Sequence, residues 1–521
     1  MKKRIGTLLV AGIMACSMTA GLAMTGCTVK AKPDFAMPAG GFDFDSPVEI
    51  TFYHTMGKAL RATLDSQIKE FNKLYPNITV KHEQAGSYDD VKTRVQTEIQ
   101  AGTQPNISYC YPDHVALYNT ANAVLTLNDF LSDGAFADIN VKQQKVDEDG
   151  YIVYDENENP VIEEVPLNMS SAQESMFIEG FWEEGYKFGD ESKMYTLPFA
   201  KSTEVMYYNK TFFEAHGLTP PTTWKEMEVV CEEILKITAE ENEGKSADEQ
   251  VYVTPFGYDS ESNWFITMCE QYGSGYTSAT GNKYLFNNKT NRDFVEMLNG
   301  WFKKGYFTTQ AIYGGANGNK YTSGLFTNTG VGPDNQRSYM CIGSSAGANN
   351  QIAPKTNNDY DFEVGIVPIP QVYSTDENHP EYKAGYNPKV ISQGPSVCIF
   401  KNEDPQKVLA SWLFVKYLTT SIEFQAEFSS DSGYVPALKM DYMKEYQPYA
   451  DFLKKANGFG YLTALSADIC LKQSDFYYTS PAFMGSSKAR EEVGLLLQAV
   501  FMGKKIEDAF KDAIEECEYF G

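Results

Sequence analysis

Histidine is scarce in this chain of 521 residues: only five occur, His54, His82, His114, His216 and His379, isolated from one another. They form no HExxH helix, and no Gly-x-Ser-x-Gly turn or phosphate loop is present, so the common hydrolytic and nucleotide-dependent machineries have no motif here. A secreted glycosidase would need only two carboxylates flanking a cleft, but no such site is visible. Basic residues are also few, 44 Lys and Arg against 69 Asp and Glu, for a formal charge of −25. So acidic a chain repels phosphate backbones, which excludes nucleic acid as a partner. The acid gathers between Asp147 and Glu191. Its densest stretch, Asp147 to Asp155, lacks the alternating oxygens closed by a glutamate that a calcium loop requires, so it reads as a solvated face. No CxxC pair or Cys/His cluster occurs. Seven of the nine cysteines, Cys110, Cys231, Cys269, Cys341, Cys398, Cys470 and Cys517, are scattered and odd in number, several inside apolar runs. They read as buried small hydrophobes, and neither a metal nor a cofactor is expected.

The one long apolar run is at the start. Lys2, Lys3 and Arg4 precede Leu8, Leu9, Val10, Ile13, Met14 and Ala20, and Met24-Thr25-Gly26 lead into Cys27. The run is too short and wrongly flanked for a stable membrane span and reads as a secretory signal over residues 1–26 that takes Cys16 with it. The small residues before Cys27 resemble a bacterial lipobox, although Met24 stands where leucine is usual. That resemblance implies lipidation of Cys27, with two acyl chains as the only hold on the membrane. Residues 28–45, with Pro33, Pro38, Gly40 and Gly41, read as a flexible tether.

Beyond the tether the apolar period alternates. Val48–His54 reads as a strand, and Leu60, Leu64, Ile68, Phe71 and Leu74 give a helix that Pro76 stops. Ile78–Val80 is a strand, Val91, Val95 and Ile99 mark a helix, and Ile107–Tyr111 is a third strand. Alternation of this kind predicts an α/β fold with mostly parallel sheets. Ligands then bind beyond the carboxyl ends of the strands, near Tyr111, Pro112 and Asp113. At 521 residues more than one core is expected.

The segment Pro198-Phe-Ala-Lys-Ser-Thr-Glu-Val-Met-Tyr-Tyr-Asn-Lys210 resembles one from the extracellular solute-binding proteins of ATP-driven importers. Ile50–His54, Phe71–Pro76, Gly86–Asp89, Ala101–Pro105, Gly394–Ser396, Ser432–Pro436 and Gly503–Lys505 extend the likeness, in the family's order, to the C-terminus. The resemblance implies a type 2 periplasmic-binding fold of two lobes whose chain crosses a hinge three times. It would place 46–198 with 390–430 in one lobe and 199–389 with 431–521 in the other. It also implies closure over a ligand in the interlobe cleft and delivery to ABC permease subunits. The region 131–188 is longer and more acidic than the family needs and reads as a surface insertion with a hairpin around Tyr151 to Val161.

The family divides between oligosaccharide binders and binders of glycerol 3-phosphate. By motif, the glycerol phosphate contacts fall on Tyr88, Pro112, Ser202, Ser344, Gly394, Tyr434 and Arg490, with Pro112 replacing a glutamate. Ser202 and Thr203 are the pair expected to face the ligand. Arg490, in the first turn of a helix expected to be capped by Ser486 or Ser487, suits a phosphate, a sugar hydroxyl or a neighbouring acid. Sugars ask for aromatic faces, and Tyr88, Tyr111, Tyr434 and Trp264 are the candidates. Loss of the glutamate at 112 favours an oligosaccharide.

Overall fold

The computed structural model describes residues 35–189, 192–317, 321–327, 336–351, 362–457 and 462–520. The signal segment, Cys27 and the first part of the tether lie outside them. From Phe35 onward the expected tether is docked: Phe35 and Phe42 are 7% and 8% exposed, and Phe35 packs on Phe130 and Phe136. Two buried aromatic rings outweigh the local Pro and Gly content, because each buries far more apolar area than a turn residue costs.

Strand β1 (Val48–His54) buries alternate residues, and helix α1 (Lys58–Leu74) lays Leu64 and Phe71 beneath it. Strand β2 (Ile78–Gln84) runs parallel to β1. Helix α2 (Tyr88–Ala101) is opened by a capping box between Ser87 and Asp90 and closed by Gly102 at φ 70°. Strand β3 (Ile107–Cys110) also runs parallel to β1 and leads into the short helix α3 (Pro112–Tyr118). The periodicity therefore marks the elements from β1 to β3, with ends displaced by a few residues, whereas α3 was not expected.

Two five-stranded sheets organise the chain. The first has the order β2, β1, β3, Ser396–Ile399, Leu197–Pro198; the second has Phe307–Thr309, Phe256–Tyr258, Met340–Ser344, Glu204–Asn209, Val364–Pro368. In each, four strands run in one direction and a single strand, Ser396–Ile399 in the first and Glu204–Asn209 in the second, runs against its two neighbours, so each sheet is mostly parallel, as expected. Both reversed strands adjoin a crossing between the sheets.

Each sheet has its own apolar cluster, one holding Phe52, Phe71 and Trp412 and the other Trp264, Phe294 and Leu497. Leu438, Met443 and Tyr449 belong to the first cluster, so the chain remains with the first sheet well past residue 430. The hairpin expected around Tyr151 to Val161 is present as a short turn, with Tyr154 bridged antiparallel to Pro160 and the Val161 amide donating to the Val153 carbonyl at 2.9 Å. A longer ladder, Asn140–Gln144 against Ile162–Pro166, lies outside it. Trp412 Nε1 donates to the Leu167 carbonyl at 2.9 Å, and Lys416 Nζ donates to the carbonyls of Pro166 and Asn168, both at 2.8 Å, which docks the hairpin's base. Phe177, Phe181 and Glu184 are buried, so the last part of the expected surface insertion is interior.

Candidate functional site

The backbone crossings between the sheets are stitched together. Ala200–Lys201 pairs with Val435–Pro436, Ser202 with Gln393, and Val390–Ile391 with Tyr477–Tyr478. Gly394 sits there at φ +85°, and a Cβ on it would meet the Ala200 carbonyl at 2.4 Å. Only glycine fits both the left-handed backbone and the close approach.

One carboxylate gathers these crossings. Glu184 Oε1 receives Lys201 Nζ at 2.7 Å and Ser396 Oγ at 2.9 Å, while Oε2 receives Thr479 Oγ1 at 3.2 Å and Ser392 Oγ at 3.4 Å. Lys201 and Glu184 side chains are 0% and 2% exposed.

Beside the crossings opens a cavity. Tyr111, Pro112 and Asp113 line it from the first lobe, and Ile266, Tyr276 and Arg490 from the second. Glu184, Ser392, Gln393, Gly394, Thr479 and Ser480 close its floor. A wider space adjoins it, sharing Tyr111, Asp113 and Arg490 and adding Tyr88, Lys92 and Ser262. The elements explain this convergence. Tyr88 starts α2, Tyr111 and Asp113 follow the carboxyl end of β3, and Arg490 lies in the first turns of the helix Ser486–Phe501. Tyr88 and Tyr111 stack with centroids 4.5 Å apart and planes 28° apart, and the Tyr88 and Tyr434 hydroxyls are 3.4 Å apart.

Arg490 Nη2 donates to Asn263 Oδ1, and among the described residues Arg490 makes no ion pair. Asn263 Nδ2 donates to Glu204 Oε1 at 2.9 Å, and the Tyr258 hydroxyl donates to Glu204 Oε2 at 2.6 Å. Burial pushes the Glu204 carboxyl up to about 7, against the opposing pull of Tyr258, Asn263 and Arg490. Asp259, also buried, is pushed up to about 6. Burial raises the Tyr88, Tyr111 and Tyr276 phenols and lowers His114, so all four are neutral at ordinary pH.

Among the expected site residues, the structure brings Tyr88, Tyr111, Asp113, Gly394 and Arg490 to the cavities. Ser202 pairs through its backbone with Gln393, and the Thr203 hydroxyl is fully buried, donating to the Ile391 carbonyl at 2.6 Å. Both stand on the crossing, and neither is among the residues that line the cavity. Ser344 Oγ accepts from the Ala346 amide, away from the cavity lining. Trp264 is fully buried, stacked 4.5 Å from Tyr258. It sits one residue past Asn263, on the core side of a helix whose other side reaches the cleft. The arginine's helix is preceded by Gly485 in the left-handed region, and Ser486 Oγ bonds to the Phe483 backbone, so no serine caps it. Glu184, Tyr276, Gln393 and Thr479 were not foreseen. Glu184 was one acid among many in a region taken for surface, and only tertiary packing distinguishes it.

No group of three or more His, Cys, Asp or Glu among the described residues is arranged to hold a metal ion. No described helix is long and apolar enough to cross a membrane.

Known proteins resemble this chain in sequence and in fold. The chain is 23% identical over 473 residues to the sn-glycerol-3-phosphate-binding periplasmic protein UgpB of Yersinia pseudotuberculosis, covering 89% of this chain and 90% of that one. It is 25% identical over 238 residues to the multiple sugar-binding protein of Streptococcus mutans, covering 45% of this chain and 42% of that one. UgpB from Mycobacterium tuberculosis, solved in complex with glycerophosphocholine, superposes with a TM-score of 0.64 at 14% identity, over 91% of this chain and 98% of that one. An ABC substrate-binding protein from Listeria monocytogenes, in complex with cycloalternan, gives a TM-score of 0.62 at 16% identity, over 91% and 99%. Such structural likeness identifies the two-lobed fold alone. The model of the bacterial extracellular solute-binding proteins matches residues 66–452, and with most of the chain so matched, the protein belongs to that family of binding proteins.

Proposed function

We propose that this chain captures an oligosaccharide between its lobes and hands it to the permease of an ABC importer. The observation that carries this reading is the chemistry of the cavity wall: Asp113 and Glu184, one arginine, and the hydroxyl and amide groups of Ser392, Gln393, Thr479 and Ser480 beside the Tyr88–Tyr111 stack. Carboxylates and amides accept and donate to paired sugar hydroxyls, and tyrosine faces cover the apolar surface of a sugar ring. Asp113, facing this space, opposes a phosphate dianion, while the charge of Glu184 is met by Lys201. Lipidation of Cys27, outside the described residues, would tether the protein to the outer face of the cell membrane, and Cys27→Ala would release it from the membrane fraction.

A second reading has its own support. Arg490 lies near the start of a long helix and has no carboxylate partner among the described residues, which suits the single charge of a glycerophosphodiester. The relatives named for sn-glycerol 3-phosphate point the same way.

Thermal unfolding against maltotriose, cycloalternan, glycerol 3-phosphate and glycerophosphocholine separates the two. A ligand at a hundred times its dissociation constant adds about 2.7 kcal/mol of stability. Stabilisation by the sugars supports the first reading. A shift confined to the phosphate compounds and abolished in Arg490→Ala would replace it with the second.

A further inference from the structure

We propose that Glu204 is a positioning residue for the cleft arginine: through Asn263 it sets whether the Arg490 guanidinium is held against the second lobe or released toward the bound solute. The proposal rests on the reading that Arg490 faces the solute, and goes beyond it by assigning its control.

Glu204 is the first residue of the strand that follows the first crossing, and it is 1% exposed. Its two oxygens take separate donors, Tyr258 Oη and Asn263 Nδ2. An asparagine amide donates only from nitrogen and accepts only at oxygen. A carboxylate at 204 therefore fixes the amide with Nδ2 inward and Oδ1 toward Arg490, whose Nη2 donates to it. A protonated Glu204 becomes a donor on one oxygen. The favourable response is rotation of the amide, so that Oδ1 accepts the new proton and Nδ2 faces the guanidinium. Two donors then oppose each other and Arg490 leaves.

The charged and titratable groups around this relay come from several elements. Arg490 favours the carboxylate at Glu204 and Asp259 disfavours it, while the Tyr258 and Tyr478 phenols stay neutral. On the cleft side Arg490 acts on Tyr111, Tyr276 and His114, and Asp113 lines the same cavity. Burial pushes the Glu204 carboxyl up to about 7 and the Asp259 carboxyl up to about 6, so both change charge in mildly acid conditions.

The test needs no ligand. The purified full-length protein is treated briefly with phenylglyoxal, and peptide mass spectrometry gives the rate at Arg490 relative to Arg292, whose partner Asn287 does not titrate. The ratio is expected to rise several-fold from about pH 8.5 to about pH 6, across the titration of Glu204. Glu204→Gln should keep it high at every pH, Glu204→Asp should restore the dependence, and Asp259→Asn should keep the dependence, displaced toward lower pH because a neighbouring negative charge is gone. Asn263→Ala removes the relay at its other end and should also give a high, flat ratio, so one misfolded variant leaves the test standing. A flat ratio in the wild type, or a wild-type profile in Glu204→Gln and Asn263→Ala, would overturn the relay. Unchanged solute affinity in Arg490→Ala would instead sink the reading that Arg490 touches solute, whatever the modification profile.

Discussion

Lys201 Nζ lies 2.7 Å from Glu184 Oε1 in a fully buried ion pair, with the lysine on the first crossing and the glutamate bonded to serines and a threonine of others. The pair ties together the segments that cross between the two sheets. Breaking a buried pair by removing one partner leaves an uncompensated charge and costs about 3–5 kcal/mol. Lys201→Met should destabilise by that order in urea unfolding. Lys201→Met with Glu184→Gln should recover much of the loss, which a double-mutant cycle would measure.

At Gly394 an alanine meets both a left-handed backbone and the Ala200 carbonyl. Strain at such a position costs about 1–3 kcal/mol. Gly394→Ala should lower the unfolding midpoint and, by displacing the Ser202–Gln393 bridge, weaken ligand-induced closure seen by small-angle scattering.

Tyr88→Ala removes one ring of the stack at the cleft mouth. With aromatic pairing worth about 0.5–1.5 kcal/mol, ligand affinity should fall roughly two- to ten-fold by calorimetry. Trp264→Ala should instead cost about 3–5 kcal/mol of stability, as large core truncations do, and Trp264→Phe should preserve binding.

His54 is enclosed at the end of β1, with Nε2 2.8 Å from His82 Nδ1 and Nδ1 accepting from the Met56 amide. Burial and the neighbouring His82 and Arg61 depress it to about 3, against 6.5 when unfolded. A depressed histidine contributes stability that is complete above about pH 6.5 and declines as pH falls toward 3, because the unfolded chain takes the proton first. The raised carboxyls Glu204 and Asp259 act oppositely, since their protonated forms suit the folded state. Comparing His54→Gln with wild type at several pH values isolates the histidine: the variant's acid limb should be flatter.

Much of the first lobe was legible because its signals are local. Pro76 and Gly102 end helices, and Ser87 with Asp90 opens one. The cleft was half legible. Tyr88, Tyr111, Asp113 and Arg490 stand at element ends, where motif spacing locates them. Ser202, Thr203 and Trp264 carry the right chemistry but stand on the crossing and in the core, which only long-range packing decides. Glu184 was invisible for the same reason: its partners lie 17 to 295 residues away in the chain.

The seven described cysteines are all free and all buried, and burial pushes the Cys470 and Cys517 thiols up to about 12. In the native state they resist alkylation, since the thiolate is the reactive form. Cys110 and Cys398 lie on neighbouring strands of the first sheet, whereas Cys231, Cys269 and Cys517 belong to the second lobe's core. The molecule thus carries its own stopwatches, and the rate at which each sulfur is trapped times the spontaneous opening of its own half.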